Sequence, residues 1–470
     1  MQRLLSLTLL IACGTSSPPV QTTPQGTVTT TAEVPPTVAS ASASTAVPPP
    51  PSPVWIEDDY ARALAAAKRS NAPLLVDASA VWCHTCKAMR AFVLEDASLP
   101  TGFVRFSFDV EKEQNADASA AFPTHVLPTF FVVDPSDASI QGRWEGAGSV
   151  QQMRAFMTDG ARAVALAHSS DLRKDDPLAM LLAGHRAALK NDATEAEKQF
   201  AAALAAGPQG WEHAVEAMLG LVKAQRHRTG GGGCAETVEK ALTETPSRLG
   251  RTSLTADYAS EALDCVEGSH DARAKHVREL VAKSVADLAR DPSTPLSPDD
   301  RADAWKTVWD ARQALGDHAG ALDAARARLD VIMKAVAARP EPEITTTFDG
   351  ARMETLEFLG RGEEAAQFLA AQEKALPSDY NPAHRLAHVY FKLGKNADAL
   401  AAIDRAIGKG YGARKGLMLR LKADILVAMG KRAEARAALE QQLALYQSLP
   451  DAQKKPGYEK SVQEQIDKLT

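Results

Sequence analysis

Cys83 and Cys86 are separated by two residues in the run Val81-Trp82-Cys83-His84-Thr85-Cys86-Lys87, directly behind an apolar stretch, Pro73-Leu74-Leu75-Val76-Asp77-Ala78-Ser79. Two thiols one helical turn apart can close and open a small-ring disulfide. The apolar stretch predicts a short buried strand, and Met89, Phe92 and Val93 fall at helical intervals after Lys87. Cys83 is therefore expected at a helix N-terminus, where unpaired N–H groups and the helix dipole favour a thiolate. On this reading Cys83 is the nucleophile. Cys86, one turn further in, resolves the mixed disulfide.

The elements that must position this pair read as a small α/β unit. Helix signals cover 58–68, 83–94 and 113–122, and another begins at Ser149; strand signals cover 73–79, 103–110, 129–133 and 141–145. A length of 470 residues is too great for one core, and composition divides the chain. We expect a signal peptide over 1–12, a disordered Pro/Thr/Ser-rich tether over 13–53, the α/β domain over 54–160 and an all-α repeat domain over 170–470. The tether carries one charged residue, Glu33, and has too little apolar matter for a core. A net charge of −6 without long basic runs gives no support for nucleic-acid binding.

The α/β residues resemble the thioredoxin superfamily. Leu75-Val76-Asp77 followed by Trp82-Cys83-His84-Thr85-Cys86-Lys87 is similar to that family's strand and active-site segment. Val126-Leu127-Pro128-Thr129 is similar to its cis-proline loop, and Gly142-Arg143-Trp144-Glu145-Gly146 to its late hairpin. The resemblance implies that Asp77 is a buried acid of raised pKa that helps deprotonate Cys86. It also implies that Pro128 is cis and that the backbone before it pairs with a substrate strand. Trp82 either packs or shields the sulfurs and shapes the substrate surface. His84 either stabilises the Cys83 thiolate as imidazolium or is simply solvated, and His125 reads as a loop residue. The compact 109–128 segment is less like reductases dedicated to cytochrome maturation, and the whole resembles plain thioredoxin, which implies a reductase. No cofactor is expected, and the absence of a second CxxC or paired histidines argues against a structural zinc site.

At the N-terminus, Arg3 precedes an apolar run too short to span a bilayer. Leu10-Ile11-Ala12-Cys13 resembles the lipobox of bacterial lipoproteins, which implies lipidation of Cys13, and Gly14 resembles sorting to the outer membrane. The expected location is the cell envelope, lipid-anchored on the periplasmic face. Of five cysteines, Cys234 and Cys265 remain. They lie 31 residues apart, and whether they pair is left open.

From Pro177 onward paired helices are expected. Gly184, Ala187, Ala196, Phe200, Ala203 and Pro208 occupy spacings that resemble a tetratricopeptide repeat, as do Leu386, Ala387, Tyr390, Gly394, Ala399, Ile403 and Ala406. Leu315-Gly316, Leu359-Gly360, Leu393-Gly394 and Met429-Gly430 recur at intervals of 44, 34 and 36 residues. The repeat is hard to follow over 229–297, where Gly230 to Gly233 reads as a flexible loop. His384 and His388 share one helix face, a spacing open to metal but ordinary on a repeat surface. The resulting expectation is an exported thiol–disulfide oxidoreductase acting on protein disulfides, supplied with electrons by a redox partner and binding a protein or peptide on its repeats. The alternative is a non-catalytic envelope scaffold in which both halves are binding modules.

Overall fold

The computed structural model describes residues 54–124, 126–167, 175–229, 233–244, 246–454 and 457–469. The expected signal peptide and tether, Cys13, His125 and Gly230 to Gly232 lie outside them. Five strands form one sheet in the order β1-β3-β2-β4-β5. They are β1 (Trp55–Glu57), β2 (Leu74–Ser79), β3 (Val104–Asp109), β4 (Thr129–Val133) and β5 (Ile140–Glu145). β1 and β2 run parallel to β3, whereas β4 runs antiparallel to both β2 and β5. β1 has only three residues and no apolar alternation, which is why sequence patterning passes over it.

Strand alternation assigns the two faces. Leu74, Val76, Phe131 and Val133 pack with Ala63 and Ala67 of helix α1 (Tyr60–Ser70) and with Phe122. On the other face Leu75, Phe130 and Val132 pack with Met89 of α2 (His84–Phe92) and with Met153 and Met157 of α4 (Val150–Ala167). The segment expected as one helix over 113–122 is split into a 3₁₀ turn, Glu113–Asn115, and helix α3, Ala116–Ala121.

The second core does not stop at the α/β elements. It runs on into Val215, Leu219, Tyr258, Val277 and Val308 of the helical half. That half is built of consecutive helices that pack in pairs, such as Asn381–Lys392 with Asn396–Lys409 and Gly412–Ala428 with Arg432–Ser448. Gly316, Gly360, Gly394 and Gly430 explain the recurring dipeptides: each follows the last residues of a first helix with φ between 72° and 76°. A Cβ there would meet nothing within 4 Å, so the requirement is for left-handed backbone rather than space. At the first pair Asn191, φ 57°, makes the same turn. Gly184, by contrast, is a close-approach position, since a Cβ would lie 2.7 Å from the Phe200 ring. Ala387, Ala399, Ile403 and Ala406 are all fully buried between paired helices. The architecture is thus an α/β domain followed by an all-α solenoid of tetratricopeptide-like hairpins. The hard-to-follow stretch contains Ala235–Glu244, Ser253–Asp264 and the long Ala272–Arg290, with Cys234 bonded to Cys265.

Candidate redox site

β2 ends at Ser79, and the chain turns through Ala80 to Trp82 before Cys83 caps α2. Cys83 has extended backbone angles, and its sulfur accepts a hydrogen bond from the Cys86 N–H at 3.0 Å. The two sulfurs are joined, with Cα atoms 5.2 Å apart. Cys83 is therefore where an N-terminal helix dipole acts on its sulfur.

Asp77 lies on β2 with its side chain 2% exposed as a residue. Ser107 Oγ donates to its Oδ2 at 3.1 Å, and Arg90 stands 3.7 Å away, but Oδ1 has no hydrogen-bond partner. Burial pushes its pKa up to about 6, against the pull of Arg90 and Ser107. Leu127 packs on the cysteine pair, and the Leu127–Pro128 peptide bond is cis. Pro128 is buried and its carbonyl accepts from the Gly146 N–H at 2.9 Å.

Both cysteines are only 4% exposed, packed among Ala80, Trp82, Val110 and Leu127, and the helical half closes over the residues that flank them. Asn381 Nδ2 donates to the Val81 carbonyl at 3.3 Å, and Lys87 Nζ stands 3.3 Å from Thr346 Oγ1 and 3.5 Å from Asp379. Arg414 stacks on the Trp82 ring at 4.9 Å, and its N–H donates to Glu111 at 2.8 Å. Tyr411 donates its hydroxyl proton to Asp109 at 2.6 Å. Trp82 thus meets a guanidinium of the same chain where an open substrate surface would otherwise lie.

His84 is the second departure from a solvated motif. Its Nδ1 is 3.3 Å from both oxygens of Asp299, itself 1% exposed. Desolvation lowers the imidazole's proton affinity, but Asp299, through charge and hydrogen bond, and Asp303 outweigh it and lift the pKa to about 9. His84 is an imidazolium at neutral pH. His84, Asp299 and Asp303 are close enough to share a cation, and Arg328 already approaches Asp303 at 3.4 Å. Burial and the nearby Arg414 and Arg385 charges push His384 down to about 3, so it is neutral.

Asp299, Asp303, Asn381 and Arg414 escaped the sequence reading. Asp299 and Asp300 open the helix Pro298–Ala314, where acidic residues ordinarily complement the dipole from solvent, and Asp303 follows one turn on. Only the burial of Asp299 separates it from that ordinary role.

This sheet, the capped CxxC and the cis-proline loop define a thioredoxin-like domain, and residues 55–135 match the family model described as thioredoxin-like. Similar curated proteins include the H-type thioredoxins of Brassica campestris and Brassica oleracea and the H-type 1 thioredoxin of Brassica napus. Each is 33% identical over 73 residues, 16% of this chain and 58% of the relative. The chain thus spans little more than half the length of those relatives. Among solved structures, a tetratricopeptide repeat protein from Parabacteroides merdae aligns with 62% of this chain and 98% of its own, at 14% identity and a TM-score of 0.35. The APC/C hetero-tetramer Cut9-Hcn1 aligns with 66% of this chain and 54% of its own, at 14% identity and a TM-score of 0.30.

Proposed function

We propose that this chain is a thiol–disulfide oxidoreductase that reduces protein disulfides. The observation that carries the reading is the bonded Cys83–Cys86 pair at the head of α2, with the buried Asp77, whose raised pKa suits it to take up a proton near neutral pH, on the adjoining strand. In the reduced chain the Cys83 thiolate attacks one sulfur of a substrate disulfide. The Cys83–substrate bond forms, the substrate S–S bond breaks, and one substrate thiolate leaves and takes up a proton. Asp77 accepts the Cys86 proton, and the Cys86 thiolate then attacks the Cys83 sulfur. The mixed disulfide breaks, and the second substrate sulfur departs as a thiolate that takes up a proton. Two electrons have moved from the dithiol to the substrate, and a dithiol partner restores them by the reverse exchange.

Access is along the cis-proline loop, where Val126 is 41% exposed, because the Val81–Lys87 side is covered. Export and lipid attachment at Cys13 belong to the same reading. They are supported by the Leu10-Ile11-Ala12-Cys13 run and by the Cys234–Cys265 bond, which suits an oxidising compartment. A second reading draws on the 4% exposure of both cysteines: the pair is a structural link inside an envelope scaffold, and the motif is where the solenoid docks. Turnover of a protein disulfide by the full chain with a reductant separates them. Catalysis that disappears in Cys83→Ala supports the enzyme, and a chain that accelerates no disulfide reduction supports the scaffold.

A further inference from the structure

A cavity of about 370 Å³ lies where the end of β5 meets the helices Pro177–Leu189, Ala214–Thr229 and Ser253–Asp264. Three links tie it to the redox loop. Val126 lines it, while the next residue, Leu127, packs on the cysteines. Gly146, also in its wall, donates its N–H to the Pro128 carbonyl. A Cβ built on Gly146 would stand 3.9 Å from Asp257 Oδ2.

The charges in its wall are unevenly matched. Arg143 pairs with Glu145 at 2.6 Å, Lys223 with Glu145 at 3.3 Å, Arg226 with Glu261 at 2.6 Å, and His185 with Glu216 at 2.9 Å. Asp257 has no hydrogen-bond or ion-pair partner among the described residues. Burial pushes its pKa up to about 7; Lys223, which pulls the other way, is held by Glu145, while Asp303 and Glu261 add negative charge. Asp257 is half-buried in the wall of the cavity with its carboxylate unpaired, and a cation entering the cavity would pair with it. Trp144, Leu219 and Leu254 give the same space apolar walls. A long basic side chain has this double character, an aliphatic stem with a charged head.

We propose that the cavity receives a lysine or arginine side chain of the substrate polypeptide, its head group pairing with Asp257 and its stem lying along Trp144, Leu219 and Leu254. The inference rests on the disulfide-exchange reading and adds a substrate class to it: proteins carrying a basic residue close to the reacting cysteine. Asp257 acts on specificity and touches no reacting atom.

Binding to the oxidised full chain tests it, using two short Gly/Ser peptides that carry S-methylcysteine and differ only in lysine or norleucine nearby. The lysine peptide is expected to bind roughly tenfold tighter, the scale of a charge-assisted contact, and Asp257→Asn to bring the ratio near one. Equal binding of the two peptides by the unmodified chain, no binding of either, or a preference that survives Asp257→Asn overturns the proposal. The peptides cannot exchange disulfides, so the outcome is independent of turnover. A chain that discriminates them but reduces no disulfide keeps this inference and loses the enzyme reading, and the converse result loses only this inference.

Discussion

His84 Nδ1 lies 3.3 Å from both carboxylate oxygens of Asp299, 215 residues further along the chain, so the first of the two residues between the cysteines is anchored by the helical half. The pair is a charged clasp between the redox helix and the solenoid. Its ring keeps 38% of its side-chain surface exposed, so water screens part of the attraction.

The clasp has a definite pH signature. His84 titrates near 9 in the folded chain against an ordinary value of 6.5, so its contribution to stability is complete below about 6.5 and is lost as pH rises through 9. The melting temperature should fall between pH 7 and pH 9.5 by more than it does in His84→Gln. An NMR titration should place the His84 midpoint well above neutrality in the unmodified chain and lower in Asp299→Asn. Parallel melting profiles, or an unmoved midpoint, would count against the clasp.

Asp77 carries the opposite sign. Its folded pKa of about 6 exceeds its ordinary 3.8, so the folded state holds the proton more tightly and this residue weakens the fold as pH rises from 3.8 through 6. Asp77→Asn should therefore gain on the order of 1–3 kcal/mol in denaturant unfolding at pH 8 and little at pH 4. The same variant should resolve mixed disulfides slower by roughly a hundredfold, the scale of a lost general base. Unchanged resolution kinetics would remove Asp77 from the mechanism.

Much of this site was legible from local chemistry, and the remainder was not local. Val76-Asp77 ahead of Trp82-Cys83 and Leu127-Pro128 behind it marked the strand, the capped helix and the loop, because each depends on neighbours a few positions away. The repeat was legible through Gly360, Gly394 and Gly430, whose left-handed backbone ends each first helix. The closure of the solenoid over the motif was not. It depends on Asp299, Asn381 and Arg414, polar residues of ordinary helix surfaces that become partners only when hundreds of intervening residues curve back. The approach of Asp257 to Gly146 at the end of β5 was hidden for the same reason.

The Cys234–Cys265 bond closes a segment of 31 residues that joins the start of Ala235–Glu244 to the end of Ser253–Asp264. Constraining a loop of that length is worth about 4 kcal/mol in the chain-entropy account. The double variant Cys234→Ser, Cys265→Ser should lose that order of stability in denaturant unfolding while retaining its helix content by circular dichroism. An unchanged unfolding midpoint would show that the bond adds nothing to the fold.

Covering the motif should slow the chemistry of Cys83 in the reduced chain. Tyr411→Phe with Arg414→Ala removes the hydroxyl bond to Asp109 and the guanidinium over Trp82. Alkylation of Cys83 by iodoacetamide, followed by mass spectrometry, should accelerate in this variant on the order of tenfold through easier local opening. Equal rates would mean that these contacts do not guard the thiol.

The central claim is that Cys83 attacks and Cys86 resolves, and trapping tests it most directly. The reduced full chain carrying Cys86→Ala is mixed with a disulfide-bonded protein and resolved by non-reducing electrophoresis, beside the unmodified chain. The account predicts a mixed disulfide on Cys83 that accumulates in Cys86→Ala, and rapid release of reduced substrate by the unmodified chain. Absence of both the adduct and the turnover would contradict it and leave the buried pair as a structural link.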